Sequence, residues 1–63
     1  MKDKFIYVYN ELARDKMLSA GFFLVKADDR NGTYVFEAVA RPNREQMFAL
    51  ADVSYLTSNV LTF

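Results

Sequence analysis

The sequence predicts a small α+β protein: an antiparallel sheet of three to four strands in the element order βαββα, with a final β in its terminal segment. Two observations carry this. β-Branched and aromatic runs are bounded by turn residues, and two segments of helical character each follow an asparagine that can cap them. The order is that of a miniature ferredoxin-like split βαβ unit, with a plain hairpin-centred sheet as the alternative.

Phe5-Ile6-Tyr7-Val8-Tyr9 reads as the first strand. Asn10 is a suitable N-cap, and a helix runs from Glu11 to about Ala20 with Leu12, Ala13, Met17 and Ala20 towards one side. Gly21 ends it, because glycine takes the left-handed C-terminal conformation without steric cost. Phe22 to Ala27 forms a second strand and Thr33 to Val39 a third, joined through Asp28-Asp29-Arg30-Asn31-Gly32 as a hairpin. Arg41-Pro42 breaks the third strand. Asn43 and Gln46 then have the spacing of a capping box, opening a helix to about Asp52 that is apolar at Met47, Phe48, Leu50 and Ala51. Ser54 to Ser58 is ambiguous, and Asn59 to Phe63 reads as a terminal strand.

Strict alternation divides the strand residues into two faces. Ile6, Val8, Phe23, Val25, Ala27, Tyr34, Phe36 and Ala38 are assigned to the helix-packed core. Phe5, Tyr7, Tyr9, Phe22, Leu24, Lys26, Thr33, Val35, Glu37 and Val39 are assigned to an open face, because that set holds the polar residues. Phe5, Tyr7, Tyr9, Phe22, Leu24 and Val35 are therefore the candidate binding surface, larger than the contiguous apolar patch a monomer usually exposes.

Composition narrows the chemistry. The 63 residues form one domain, 52% hydrophobic, and a chain this short is marginal as a monomer without staples, which favours a homo-oligomer. Eight basic and eight acidic residues balance, so the strong positive field of a typical nucleic-acid binder is missing. With neither Cys nor His, thiol nucleophiles, disulfides and histidine-based triads or metal sites are excluded. No apolar run approaches membrane-spanning length, and the strand-like start after Lys4 does not resemble a leader, so a cytoplasmic protein with no membrane partner is expected.

Any catalysis must then rest on carboxylates, Lys, Tyr or Ser/Thr. Arg14-Asp15-Lys16 is the one helix carboxylate with a cation on each side. Asp15 is the catalytic candidate, and Arg14 and Lys16 are the phosphate-binding candidates. Mg²⁺ is the cofactor such a site would take. The plainer reading is a solvated helix face with local ion pairs. Asp28, Asp29 and Asn31 offer hard oxygen ligands, but their pattern is that of a turn rather than a calcium loop.

Phe5-Ile6-Tyr7-Val8-Tyr9-Asn10, Leu18-Ser19-Ala20-Gly21-Phe22, Tyr34-Val35-Phe36 and Leu61-Thr62-Phe63 resemble pieces of very short proteins of Firmicutes phages and prophages. Some of these are counter-defence factors, including small anti-CRISPR proteins from gut Clostridia. The resemblance implies action inside a bacterial host cell, on a host defence protein or on DNA. One such group implies a self-associating, β-rich protein that nicks DNA. The expected function is thus a counter-defence homo-oligomeric binding module. A metal-dependent nickase of supercoiled DNA and a structural phage accessory protein are the alternatives.

Overall fold

The computed structural model describes residues 4–59. Along the chain run β1 (Phe5–Val8), α1 (Glu11–Ser19), β2 (Leu24–Asp28), β3 (Thr33–Glu37), α2 (Arg44–Asp52) and β4 (Leu56–Ser58). The strands form one antiparallel sheet in the order β2-β3-β1-β4, so each helix connects two parallel strands that flank a third. This is the split βαβ topology expected of the ferredoxin-like arrangement. The fourth strand lies at Leu56–Ser58, within the stretch the sequence left ambiguous. Asn59 follows it as a bend, and the terminal strand expected at Asn59–Phe63 otherwise falls outside the described residues.

Both helices begin where their caps dictate. The Asn10 side chain accepts a hydrogen bond from the Ala13 amide at 2.7 Å. Asn43 and Gln46 complete a reciprocal capping box: the Gln46 amide donates to Asn43 Oδ1 and the Asn43 amide to Gln46 Oε1, at 2.8 and 2.9 Å. α1 ends in a Schellman turn. Gly21 has φ +92°, its amide donates to the Leu18 carbonyl, and the Phe22 amide donates to the Met17 carbonyl.

That turn corrects the sheet-face assignment. In a Schellman motif the residue after the glycine folds back onto the helix, and here Phe22 enters the core with Met17 at only 4% exposure. Its ring meets Phe36 edge-on, with centroids 6.5 Å apart. Leu24 pairs with Phe36 and packs on the same core. Continued alternation would carry Lys26 inward as well, but a β-bulge between Leu24 and Lys26 shifts the register. Lys26 then pairs with Val35 on the opposite face, and Ala27, expected in the core, pairs with Tyr34 but is exposed near the end of the edge strand. Phe22 and Leu24 therefore do not belong to an open face, and Phe23 and Val25, expected in the core, are 69% and 38% exposed. Val39, also expected outside, packs against the core after β3 has ended.

The core comprises Ile6, Val8, Tyr34 and Phe36 from the central strands, Ala13 and Met17 from α1 with its C-cap Ala20, Ala49 from α2, and Phe22. The helix faces also differ from expectation. α2 turns Ala49 and Leu50 towards the core and leaves Met47 and Phe48 exposed, while Leu12 of α1 points outward. No helix among the described residues is long and apolar enough to cross a membrane.

Gly21→Ala should destabilise the protein by about 1–2 kcal/mol, the cost of placing an L side chain in the left-handed region. An added Cβ would meet nothing closer than Gln46 Nε2 at 4.0 Å, so crowding does not contribute. Asn43→Ala should cost about 1 kcal/mol through the lost cap. Urea unfolding followed by circular dichroism measures both.

Candidate functional site

The three consecutive charges on α1 are all engaged by protein partners. Arg14 donates from Nε and Nη2 to Asp15 Oδ1 at 3.1 and 3.0 Å. Its guanidinium also lies over the Tyr34 ring, 5.0 Å from the centroid. Lys16 lines the space between α1 and α2 together with Asp15 and bonds the Asp52 carboxylate of α2. In this arrangement the carboxylate is paired with its own neighbour, and the two cations contact different parts of the fold. The hydrogen bond from Asp15 raises the Arg14 pKa above its ordinary value, with burial opposing. Among the described residues no three Asp, Glu, His or Cys side chains come together as a metal-binding group.

Arg14 belongs to a network that spacing alone does not reveal. The buried Tyr34 hydroxyl donates to Asp29 Oδ1 at 3.3 Å, which ties the core ring to the β2–β3 loop. Burial pushes the Tyr34 phenol above its usual range, and Arg14 partly opposes the shift. In the same loop Asp28 accepts from the Asn31 backbone at 3.2 Å and from its side-chain amide at 2.8 Å, while Gly32 takes φ +68°. These contacts are the turn chemistry expected of Asp28 and Asn31.

The expected sheet surface is partly closed. Tyr7 and Val35 pair across β1 and β3 on the face away from the helices, yet both are buried, Val35 completely. Phe5 is half-buried and Tyr9 exposed. Exposed apolar groups instead stand at the margins: Phe23 and Val25 beside or on the edge strand β2, and Leu56 on the edge strand β4.

A second surface was not anticipated. α1 and α2 leave a groove of about 510 Å³, floored by Ala20 and Ala49 and walled by Leu12 and Phe48. A smaller hollow of about 270 Å³ lies beside it, and Lys16 and Asp52 line both. Leu12 and Phe48 are 75% and 68% exposed. The sequence signal was the inward spacing Gln46, Ala49, Leu50, Val53, which leaves Met47 and Phe48 off the buried stripe. A polar residue at the head of that stripe concealed it.

Comparison of the chain with protein families, with curated proteins and with solved structures finds no match.

Phe22→Ala should cost about 3–5 kcal/mol as a large-to-small core change. Phe23→Ala, at a position exposed in the single chain, should change the stability of the dilute monomer by less than about 0.5 kcal/mol. Thermal denaturation of the two variants distinguishes a core residue from a surface one at adjacent positions. Tyr34 also gives a pH signature. Its folded pKa lies above the unfolded value near 10, so the folded chain retains a proton that the unfolded chain loses. Its contribution to stability is fully present below that value and falls as pH rises through the folded pKa. The alkaline loss should be smaller in Tyr34→Phe, measured by urea unfolding between neutral and strongly alkaline pH.

Proposed function

We propose that this chain is a homo-oligomeric binding module of the phage or prophage counter-defence class, acting by contact rather than by catalysis. The observation that carries self-association is the edge strand β2, where Phe23 and Val25 are exposed beside a row of backbone groups with no neighbouring strand among the described residues. Such an edge is a template for pairing with a second chain, and a two-fold axis would join two sheets through identical strands. The chain's small size supports the same reading, since association supplies burial that 63 residues cannot. The counter-defence assignment draws on the resemblance in the strand and cap segments. The nickase alternative has less support, because Asp15 is engaged by Arg14 on an exposed helix surface.

Light scattering after size exclusion at tens of micromolar should give the mass of a dimer of the 7.3 kDa chain. Val25→Lys should shift it to monomer by adding a charge to the edge. A monomeric parent would remove the oligomer reading. Expression in a CRISPR-immune host should restore phage plating, whereas a dimer without protection would favour the accessory alternative. Supercoiled plasmid incubated with the protein and Mg²⁺ should stay supercoiled. Conversion to open circle that is lost in Asp15→Asn would reinstate the nickase.

A further inference from the structure

The β2–β3 loop places a side-chain amide next to a backbone nitrogen that can attack it. Asparagine occurs at positions 10, 31, 43 and 59, followed by Glu11, Gly32, Arg44 and Val60. Asn31 alone precedes glycine, which has no side chain to crowd an attack by its own amide nitrogen. Asn10 and Asn43 are also engaged through their side-chain oxygens, which accept from the helix amides of Ala13 and Gln46.

At Asn31 the reacting groups are open. The residue is exposed, and the Gly32 amide donates none of the turn and loop hydrogen bonds among the described residues. A Cβ built on Gly32 would meet nothing nearer than the Tyr9 carbonyl at 3.8 Å, so the space around the nitrogen is not filled by the fold. One group restrains the amide. The Asp28 carboxylate accepts from Asn31 Nδ2 at 2.8 Å and from the Asn31 backbone amide at 3.2 Å.

We propose that Asn31 is a spontaneous modification site, restrained by Asp28, at which the Gly32 nitrogen converts the asparagine to aspartate and isoaspartate and thereby undoes the turn. Asparagine is among the thermolabile residue types. The Gly32 nitrogen bonds to Asn31 Cγ and loses its proton to solvent, while the Cγ–Nδ2 bond breaks and Nδ2 takes up a proton and leaves as ammonia. Water then opens the cyclic imide. Cleavage at Cγ restores the normal chain path and leaves an aspartate. Cleavage at the backbone carbonyl leaves the peptide bond on Cγ, which is isoaspartate, and lengthens the chain path by a carbon. The reaction uses water alone and involves no oxidation.

Both products conflict with the present turn. The amide that donates to Asp28 gives way to a carboxylate, so a hydrogen bond becomes a contact between like charges. Asp29 stands beside Asp28 and accepts from the buried Tyr34 hydroxyl, so a loosened loop slackens its tie to the core. The longer path of isoaspartate also disturbs the Asp28–Thr33 pair that closes the hairpin. A chain with formal net charge zero acquires a negative charge in either case.

The test incubates the intact chain at physiological temperature in mildly alkaline, heavy-oxygen water. Isoelectric focusing should resolve a more acidic species that grows with time. Peptide mapping should place the heavy-oxygen label at position 31, as a mixture of aspartate and isoaspartate. Asn31→Ser should abolish this species while circular dichroism shows the fold retained. Asp28→Ala should form it about fivefold faster, the factor for releasing a net hydrogen bond. The acidic species, separated by ion exchange, should unfold at lower urea concentration than the parent, and so should Asn31→Asp. Ageing without a change of charge, a label that appears first at another residue, or an Asp28→Ala rate equal to the parent's would overturn the proposal. So would an acidic species as stable as the parent, since the conversion would then leave the turn intact.

Discussion

The left-handed turn at Gly21 sets the arrangement of this protein. Two hydrogen bonds close it, from Gly21 to Leu18 and from Phe22 to Met17, and they bring Phe22 over the last turn of α1 into the core. Once Phe22 and Leu24 face inward, the phase of β2 is decided, and a regular strand would then carry Lys26 into apolar surroundings. One extra residue at the bulge avoids this by moving Lys26 to the other face, opposite Val35. Burying an unpaired ammonium would cost far more than a disrupted ladder. Phe23 and Val25 are displaced to the surface as a consequence, so one backbone conformation at residue 21 connects the core to the edge proposed for self-association.

The same economy of space shapes the helix layer. Two nine-residue helices cover one face of a four-stranded sheet, and their inward positions are mostly small: Ala13, Ala20 and Ala49, with Met17 filling the centre. Small residues let the helices lie close to the sheet, where Tyr34 and Phe36 supply the bulk. The large helix residues Leu12, Met47 and Phe48 have no room beneath and stand outside. The groove between the helices is thus a by-product of where aromatic volume is placed.

Charged residues here serve mainly to join elements. Arg14 connects Asp15 to the Tyr34 ring, Tyr34 connects to Asp29, and Lys16 ties α1 to Asp52 of α2. Exposed pairs of this kind add little stability individually. Their effect on function is to engage the groups that looked catalytic in the linear sequence. A carboxylate between two cations suggests phosphate chemistry while all three side chains are imagined free, and here each already has a protein partner.

Local chemistry was enough to determine the elements and their order. Asn10, Asn43 with Gln46, Gly21, and the Asp28–Gly32 loop each act through hydrogen bonds within a few residues, so their effect can be read from neighbours alone. The four-strand topology then follows from the element order and the handedness of the crossovers. The faces of β2, the place of the last described strand and the outward turn of Phe48 were decided by tertiary structure. Strict alternation assumes an unbroken period of two, and a bulge breaks it for reasons that lie in the partner strand and in the charge of Lys26. The signal for Phe22 was present in Met17 and Gly21, since a Schellman turn implies that contact. The groove could not be read in the same way, because it is formed by two helices whose relative placement depends on the whole core.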